Sequence, residues 1–348
     1  MRIRTFGRGA AALLATILVA GPAFAFDISG AGATFPLPVY ARWAQSYSKE
    51  TGDRVNYQSI GSGGGIRQVK ARTVTFGASD QPLTAAELDA AGLIQWPQVA
   101  GGVVAVVNLD GIKAGDIVID GTTLARIFLG EITRWDDAAI ARLNPQTRLP
   151  PLPIVVVHRS DGSGTTFCFT DYLSRASADW KAKVGENVAV DWPLGVGAKG
   201  NEGVANNVAN AKGAIGYVEY AYAKQNGLTV VHMINHDGKI VAPGRESFRA
   251  AAANADWAHA PGFFRLLTDQ PGERSWPIAA ATFILLPKAP KDAEAARVAL
   301  KFFDWAFVKG GAAAEELDYE PMPSSVVALI RKSWSENLKD AEGRPLVR

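Results

Sequence analysis

The sequence contains a single cysteine, Cys168, in 348 residues. One thiol cannot form a disulfide within the chain, and it excludes CxxC redox pairs and cysteine-based zinc sites. The chain also lacks a surplus of positive charge, because 36 Lys and Arg residues stand against 34 Asp and Glu residues. Nucleic-acid-binding proteins usually carry such a surplus. With 48% hydrophobic and 20% charged residues, disorder is excluded as the main state, and a globular protein remains.

The N-terminal segment has the pattern of a secretory signal peptide. A start with three arginines is followed by the apolar run 10–20 and by the small-x-small motif Ala23-Phe24-Ala25. The alternative, an uncleaved anchor, needs a longer apolar run to span a bilayer. We therefore predict a signal peptide at residues 1–25, removed after Ala25, and a periplasmic location.

Strand-like and helix-like segments alternate along the rest of the chain, which is typical of an α/β fold with largely parallel sheets. Short apolar runs predict strands at 103–107, 154–157, 215–218 and 283–286. Apolar residues at helical spacing predict three helices, one with Tyr40, Trp43 and Tyr47 that stops at Gly52, one with Val298, Phe302 and Trp305, and one with Val326, Ile330, Trp334 and Leu338.

Two apolar runs are candidates for paired crossings between two lobes. One follows Gly101-Gly102 and the other follows Trp276-Pro277. The predicted lobes are then a discontinuous lobe I, residues 26–103 and 276–348, and lobe II, residues 104–275. Composition alone does not force this division.

Three segments combine glycines with a hydroxyl residue just before a predicted helix. A helix N-terminus offers unpaired N–H groups and the positive end of the helix dipole, and glycine lets an oxyanion approach the backbone closely. A single such segment reads as an ordinary helix cap. Three in one chain favour a shared anion site, if they converge. The segments are 30–35, 61–65 and 161–166.

Charged residues accompany two predicted strands. Arg159 and Asp161 follow the strand 154–157 and, two residues apart, point to the same side of an extended chain. Asp161 would orient the guanidinium, whose planar fork suits a tetrahedral oxyanion. The alternative is a weak, exposed surface ion pair.

Asp80 follows the strand-like residues 74–76. An ionised carboxylate is acceptor-only, so beside an anion it would accept a proton from phosphate and repel fully ionised sulfate. The alternative for Asp80 is a helix cap or a turn residue.

Taken together, these motifs resemble the periplasmic phosphate-binding proteins of phosphate-specific ABC transporters. The resemblance covers essentially the whole chain after the predicted signal peptide, in the same order. It implies a type II periplasmic binding protein fold of the α/β class, with two lobes, each a mostly parallel sheet flanked by helices, and the ligand in the cleft between them. The motifs are GAGATFP from Gly30, GSGGG from Gly61, FGASD ending at Asp80, RSDGSGTT from Arg159, GAIGYVEY from Gly213 and FFDW from Phe302.

The resemblance also implies which residues bind phosphate. In Phe35 and Gly164 the backbone N–H would be the binding group, and Asp161 would hold Arg159 rather than the ligand. Ser160 and Gly63 stand where the family often has Ala and Ser, and neither change removes an implied ligand group. The implied phosphate-binding residues are Thr34, Phe35, Ser62, Asp80, Arg159, Ser163, Gly164 and Thr165.

The implied function is high-affinity capture of inorganic phosphate and its delivery to the permease subunits of an ABC importer, by a monomer without cofactor, metal or catalytic residue. A binder of sulfate or another oxyanion is one alternative. A secreted phosphoester hydrolase, with Ser163 as nucleophile, is another; its candidate bases are His158, His232, His236 and His259.

The motif Gly195-Val-Gly-Ala-Lys-Gly200 matches GxGxxG, the pattern of a dinucleotide-binding loop, with Glu219 as a possible ribose-binding acid. We interpret it as a surface loop entering a helix.

Overall fold

The computed structural model describes residues 26–347. The predicted signal peptide, residues 1–25, lies outside the described residues. Within residues 26–347, no helix is both long enough and apolar enough to cross a membrane.

Strands and helices alternate along the described chain. The strands are β1 (Asp27–Gly32), β2 (Arg54–Ser59), β3 (Phe76–Ser79), β4 (Leu93–Val107), β5 (Val118–Ile119), β6 (Val155–Arg159), β7 (Val196–Ala198), β8 (Ala214–Glu219), β9 (Thr229–Val230), β10 (His232–Ile234), β11 (Ile240–Val241), β12 (Ala279–Pro287) and β13 (Glu320–Pro321). The helices are α1 (Leu37–Thr51), α2 (Ser62–Lys70), α3 (Ala85–Ala91), α4 (Gly121–Phe128), α5 (Ala138–Leu143), α6 (Gly164–Ala176), α7 (Ala178–Lys183), α8 (Gly200–Asn210), α9 (Tyr220–Gln225), α10 (Arg245–Ala252), α11 (Ala293–Lys309), α12 (Gly311–Glu316) and α13 (Ser324–Asn337).

One large sheet runs through the molecule in the order β2-β1-β3-β12-β4-β8-β6-β7, with β13 and β9 also pairing with β4. The outer pairs on each side are parallel: β1 with β2 and β3, and β6 with β7 and β8. The central strands β12 and β4 are antiparallel to each other, and β8 is antiparallel to β4. A small second sheet has the order β11-β10-β5. The α/β prediction is therefore confirmed, with antiparallel strands at the centre.

Strand β4 joins the two halves of the large sheet. Its residues 93–102 pair with β12, and its residues 103–107 pair with β8. At the change of partner, the Val103 N–H donates to the Ile278 carbonyl at 2.9 Å, and the Trp276 indole N–H donates to the Val103 carbonyl at 2.8 Å. The two segments expected to cross between lobes thus run side by side. The lobe boundaries themselves stay a prediction.

The helices predicted from apolar spacing are present. Helix α1 buries Tyr40, Trp43 and Tyr47, and it packs on α11 through Tyr47 and Phe302, whose ring centroids are 5.3 Å apart. Helix α13 packs on the sheet through Trp334, whose ring centroid lies 5.0 Å from that of Trp96. The four predicted strands are also confirmed, as β4, β6, β8 and β12. These elements form an aromatic core over the half of the sheet that contains β1 and β3.

Gly52 ends α1 with a φ of 85°, and a Cβ atom at this position would meet no other atom within 4 Å. Alanine would have to adopt the left-handed conformation there, which costs about 1 kcal/mol. We expect Gly52→Ala to lower the free energy of unfolding by about this amount in urea denaturation. Gly244→Ala is the matched control, because its φ of 165° is extended and its surroundings are equally open. Equal losses in the two variants would contradict the conformational explanation.

Candidate functional site

The three glycine-rich segments lie at the carboxyl ends of parallel strands, where open α/β sheets form their ligand sites. Helix α1 begins after the turn that follows β1, α2 begins at Ser62 after β2, and α6 begins at Gly164 after β6. Ser163 caps α6 with its hydroxyl oxygen, which accepts from the Thr166 N–H at 3.0 Å. Asp80 directly follows β3. The predicted helix starts are confirmed, and they share one edge of the sheet.

Ser62 joins the two halves of the sheet. Its hydroxyl oxygen accepts from the Asp80 N–H at 3.2 Å and from the Gly164 N–H at 3.0 Å. Because the Ser62 oxygen accepts both of these bonds, its own hydroxyl hydrogen remains available to donate to a ligand. A Cβ atom at Gly164 would lie 2.5 Å from the Ser62 hydroxyl oxygen, so this approach requires glycine. In this arrangement the Gly164 N–H is engaged by Ser62.

A second link runs through Asn201, at the start of α8. Its side-chain amide donates to the Thr34 hydroxyl oxygen at 2.6 Å and to the Thr165 hydroxyl oxygen at 3.4 Å. The Asn201 backbone N–H also donates to Thr34, at 3.3 Å. Arg159 reaches Thr165 with Nη1 at 3.4 Å. Thr34 of the first half and the pair Arg159 and Thr165 of the second are therefore brought together.

Asn201 is a site residue that the sequence reasoning missed. The segment 195–200 was expected to be a surface loop entering a helix, and the helix is confirmed as α8. The loop contains the edge strand β7, and Asn201 behind it is buried. The available signal was the glycine-rich approach to a helix, the same pattern that marks the other three segments.

The expected pairing of Arg159 with Asp161 is present and bidentate. Arg159 Nε donates to Asp161 Oδ1 at 2.7 Å, and Nη2 donates to Oδ2 at 2.5 Å. The Arg159 side chain is 1% exposed, so the alternative of an exposed surface pair is wrong. Burial raises the pKa of Asp161, but the hydrogen bonds and charge of Arg159 and the Gly200 N–H, 3.0 Å from Oδ1, outweigh it and hold that pKa below its ordinary value. The guanidinium is thereby fixed with Nη1 on the side of Thr165.

Asp80 is buried, and neither of its carboxylate oxygens has a hydrogen-bond partner among residues 26–347. The Thr282 hydroxyl lies beside the carboxylate without reaching hydrogen-bonding geometry. Burial raises the pKa of Asp80 to about 7, against the opposing effects of Thr282 and the Arg159 charge. A buried carboxylate without a donor is costly. Its acceptor capacity is available to a ligand that carries a proton.

The loop with Thr34 and Phe35 is held by its carbonyl groups. Hydroxyls of Tyr57, Tyr222 and Tyr319, from three distant parts of the chain, donate to the carbonyls of Ala33, Thr34 and Phe35 respectively, each at 2.7 Å. The Phe35 N–H donates to no described residue. Because the carbonyls are fixed, the position of the Phe35 N–H is fixed as well.

The residues that a hydrolase would use do not assemble here. His158, a candidate base, lies outside the site, and its ring stacks on Trp192 with centroids 4.7 Å apart. Among the described hydrogen bonds, none joins a histidine to Ser163. Cys168 is buried within α6. In the described part of the chain, no group of three or more His, Cys, Asp or Glu residues is placed to hold a metal ion.

Residues 17–309 match the family model described as a PBP superfamily domain. The chain is 53% identical over 319 residues to the phosphate-binding protein PstS of Pasteurella multocida, covering 92% of this chain and 93% of that protein. It is 54% identical over 313 residues to PstS of Haemophilus influenzae, with coverages of 90% and 94%.

A solved structure of similar fold is a high-affinity periplasmic phosphate-binding protein, PfluDING, bound with phosphate. Its TM-score to this chain is 0.70 at 24% identity, over 90% of this chain and 95% of that chain. At that identity the likeness shows the fold. The chain therefore belongs to the PBP superfamily and, within it, to the family of phosphate-binding proteins named PstS, with their two-lobed type II fold.

Proposed function

We propose that this protein captures inorganic phosphate with high affinity in the periplasm and delivers it to the permease subunits of an ABC importer. The observation that carries the proposal is the meeting, in one buried site, of a fixed guanidinium and a carboxylate with free acceptor capacity, Arg159 and Asp80. Membership of the PstS family supports the same ligand.

The site supplies donors that suit a tetrahedral anion. Arg159 provides the positive charge, and the hydroxyls of Thr34 and Ser62 can donate because their acceptor sides are occupied. The Phe35 N–H adds a backbone donor, and Ser163 and Thr165 at the start of α6 complete the proposed set. The Gly164 N–H, which the resemblance implies as a ligand group, donates to Ser62 instead. A desolvated, doubly charged anion needs many donors at once, which explains why all these groups are buried together.

Asp80 is the proposed selector. Inorganic phosphate retains at least one proton at neutral pH, and its P–O–H group donates a hydrogen bond to the Asp80 carboxylate. Sulfate has no proton to offer, so it would meet the carboxylate as a bare like charge. The binder of sulfate is thereby the less favoured alternative.

Both lobes contribute to the proposed site, with boundaries at 26–103 and 276–348 for lobe I and 104–275 for lobe II. Direct bonds between the two sides, such as the Gly63 N–H to the Gly162 carbonyl at 2.9 Å, favour a closed form. Ligand bound by both sides stabilises that form, which the permease then recognises.

We further propose a monomer that is a binding protein and no enzyme, since its relatives are named as binding proteins. Turnover of a phosphoester would contradict this.

We expect Arg159→Ala to weaken phosphate binding by at least about 1.5–3 kcal/mol, which is the contribution of a hydrogen bond to a charged group. Isothermal titration with phosphate of protein freed from endogenous ligand measures the change. Arg175→Ala is the matched control, because Arg175 also pairs with an aspartate, Asp171 at 2.8 Å, but its side chain is 44% exposed. The control should bind like the parent. Unchanged affinity in Arg159→Ala would refute the role of the guanidinium.

We expect Asp80→Asn to relax the rejection of sulfate, because the asparagine amide removes the negative charge and offers a donor. Competition titrations of phosphate against sulfate in the parent and the variant measure the selectivity. A variant that excludes sulfate as well as the parent does would remove Asp80 from the selectivity argument.

A further inference from the structure

Glu219, at the end of β8, is a buried acid that the proposed function does not use. It is fully buried and lies opposite Val103, at the point where β4 passes between the two halves. Within residues 26–347, no Lys or Arg forms an ion pair with it. Its Oε2 accepts from the Ala221 N–H at 2.9 Å and lies 2.8 Å from the Tyr319 hydroxyl. Its Oε1 has no partner among the described residues.

The Tyr319 hydroxyl makes two short contacts with oxygen atoms. One is to Oε2 of Glu219, and the other, at 2.7 Å, is to the carbonyl oxygen of Phe35 in the anion-site loop. Each contact needs one hydrogen, and the tyrosine hydroxyl has only one. A carbonyl has none to give. If Tyr319 donates to Phe35, the second hydrogen must come from the carboxyl group of Glu219.

We propose that Glu219 carries this proton in the closed protein and that it is a positioning residue for phosphate binding, acting through Tyr319 on Phe35. The carboxyl O–H donates to the Tyr319 hydroxyl, which donates to the Phe35 carbonyl. The chain of bonds fixes the loop that presents the Phe35 N–H. This inference rests on the proposed function, because the loop matters only if it binds the anion.

The surroundings of Glu219 favour the protonated form. Burial raises the pKa of Glu219 to about 8, the nearby Asp80 charge adds to the effect, and the Ala221 N–H and the Tyr319 hydroxyl oppose it. An ionised Glu219 would also be a buried charge without a cation. The titratable groups that interact with Glu219 are Asp80, Tyr319 beside β13, and Tyr220 and Tyr222 on α9. Glu202 on α8 and Arg159 act on Tyr222.

A pH dependence follows from this arrangement. Below the pKa in the folded protein, Glu219 donates and the Phe35 carbonyl keeps its partner. As the pH rises through that pKa, the carboxylate becomes an acceptor and draws the single Tyr319 hydrogen toward itself. The Phe35 carbonyl then loses its donor, and the loop is less fixed. Phosphate is therefore bound most tightly below the pKa of Glu219, and its affinity declines as the pH rises through that pKa.

Three proteins test the proposal: the wild type, Glu219→Gln and Tyr319→Phe, each titrated calorimetrically with inorganic phosphate at pH 6.5 and pH 9. The glutamine amide donates to Tyr319 at every pH, so it mimics the protonated acid. At pH 6.5 we expect Glu219→Gln to bind like the wild type. Between the two pH values the wild-type Kd should rise about threefold or more relative to that of Glu219→Gln. Titration of phosphate itself is common to both proteins and cancels in this ratio. Tyr319→Phe keeps an ionisable Glu219 and therefore controls for the direct effect of its charge on Asp80 and on the anion.

Tyr319→Phe leaves the Phe35 carbonyl without its donor at any pH. We expect it to weaken phosphate binding about fivefold relative to Glu219→Gln at both pH values, the effect of one hydrogen bond. The ratio of its Kd at pH 9 to its Kd at pH 6.5 should equal the same ratio in Glu219→Gln. If Glu219→Gln follows the wild type at both pH values, Glu219 does not position the loop and the inference is overturned.

Carboxyl ¹³C NMR observes the proton directly and keeps the inference separate from the proposed function. In glutamate-labelled wild type saturated with inorganic phosphate, we expect a glutamate that titrates above pH 7 and that is missing from Glu219→Gln. If every glutamate titrates below pH 6, the proton assignment is overturned even where a variant fails to fold. Absence of phosphate binding by the wild type at pH 6.5 would refute the proposed function instead, and would leave the NMR result standing.

Discussion

The cost of taking charges out of water governs the organisation of this site. A buried ion has to regain from the protein the hydrogen bonds that it loses from solvent. Arg159 does so through a bidentate bond to Asp161, which is itself held by the Gly200 N–H. Asp80 does not, since both its carboxylate oxygens lack partners among the described residues. In the proposed function, the imbalance between these two buried groups makes the site selective for an anion that brings its own proton.

The fold meets this cost by bringing donors from distant parts of the chain to one edge of the sheet. Parallel strands on both sides of β4 end there, and each is followed by a helix or a turn. Ser62 and Asn201 then bond across from one side to the other. Because these bonds link the halves that β4 and β12 connect, the proposed closure of the two sides would also complete the site.

Much of this arrangement could be predicted from the sequence, because it is encoded locally. The glycine-rich helix starts, the Arg159 and Asp161 spacing, and the apolar stripe of α1 are all short patterns. Asn201 could not be found in this way, since it meets Thr34 from 167 positions away and lies behind an edge strand. Tyr319 is 100 positions from Glu219, and no periodicity links the two. Contacts of this kind depend on the tertiary packing of β4, β8 and the C-terminal segment.

Asp80 and Glu219 illustrate how similar burial leads to opposite chemistry. Burial raises the pKa of both carboxyl groups, to about 7 and about 8. Asp80 lies near the positive charge of Arg159, which favours its ionised form and its use as an acceptor. Glu219 has no cation among its described partners. The hydroxyl hydrogen of its neighbour Tyr319 is already donated to the Phe35 carbonyl. The proton therefore belongs on Glu219, because there it completes a chain of hydrogen bonds, whereas on Asp80 it would compete with the proton of the ligand.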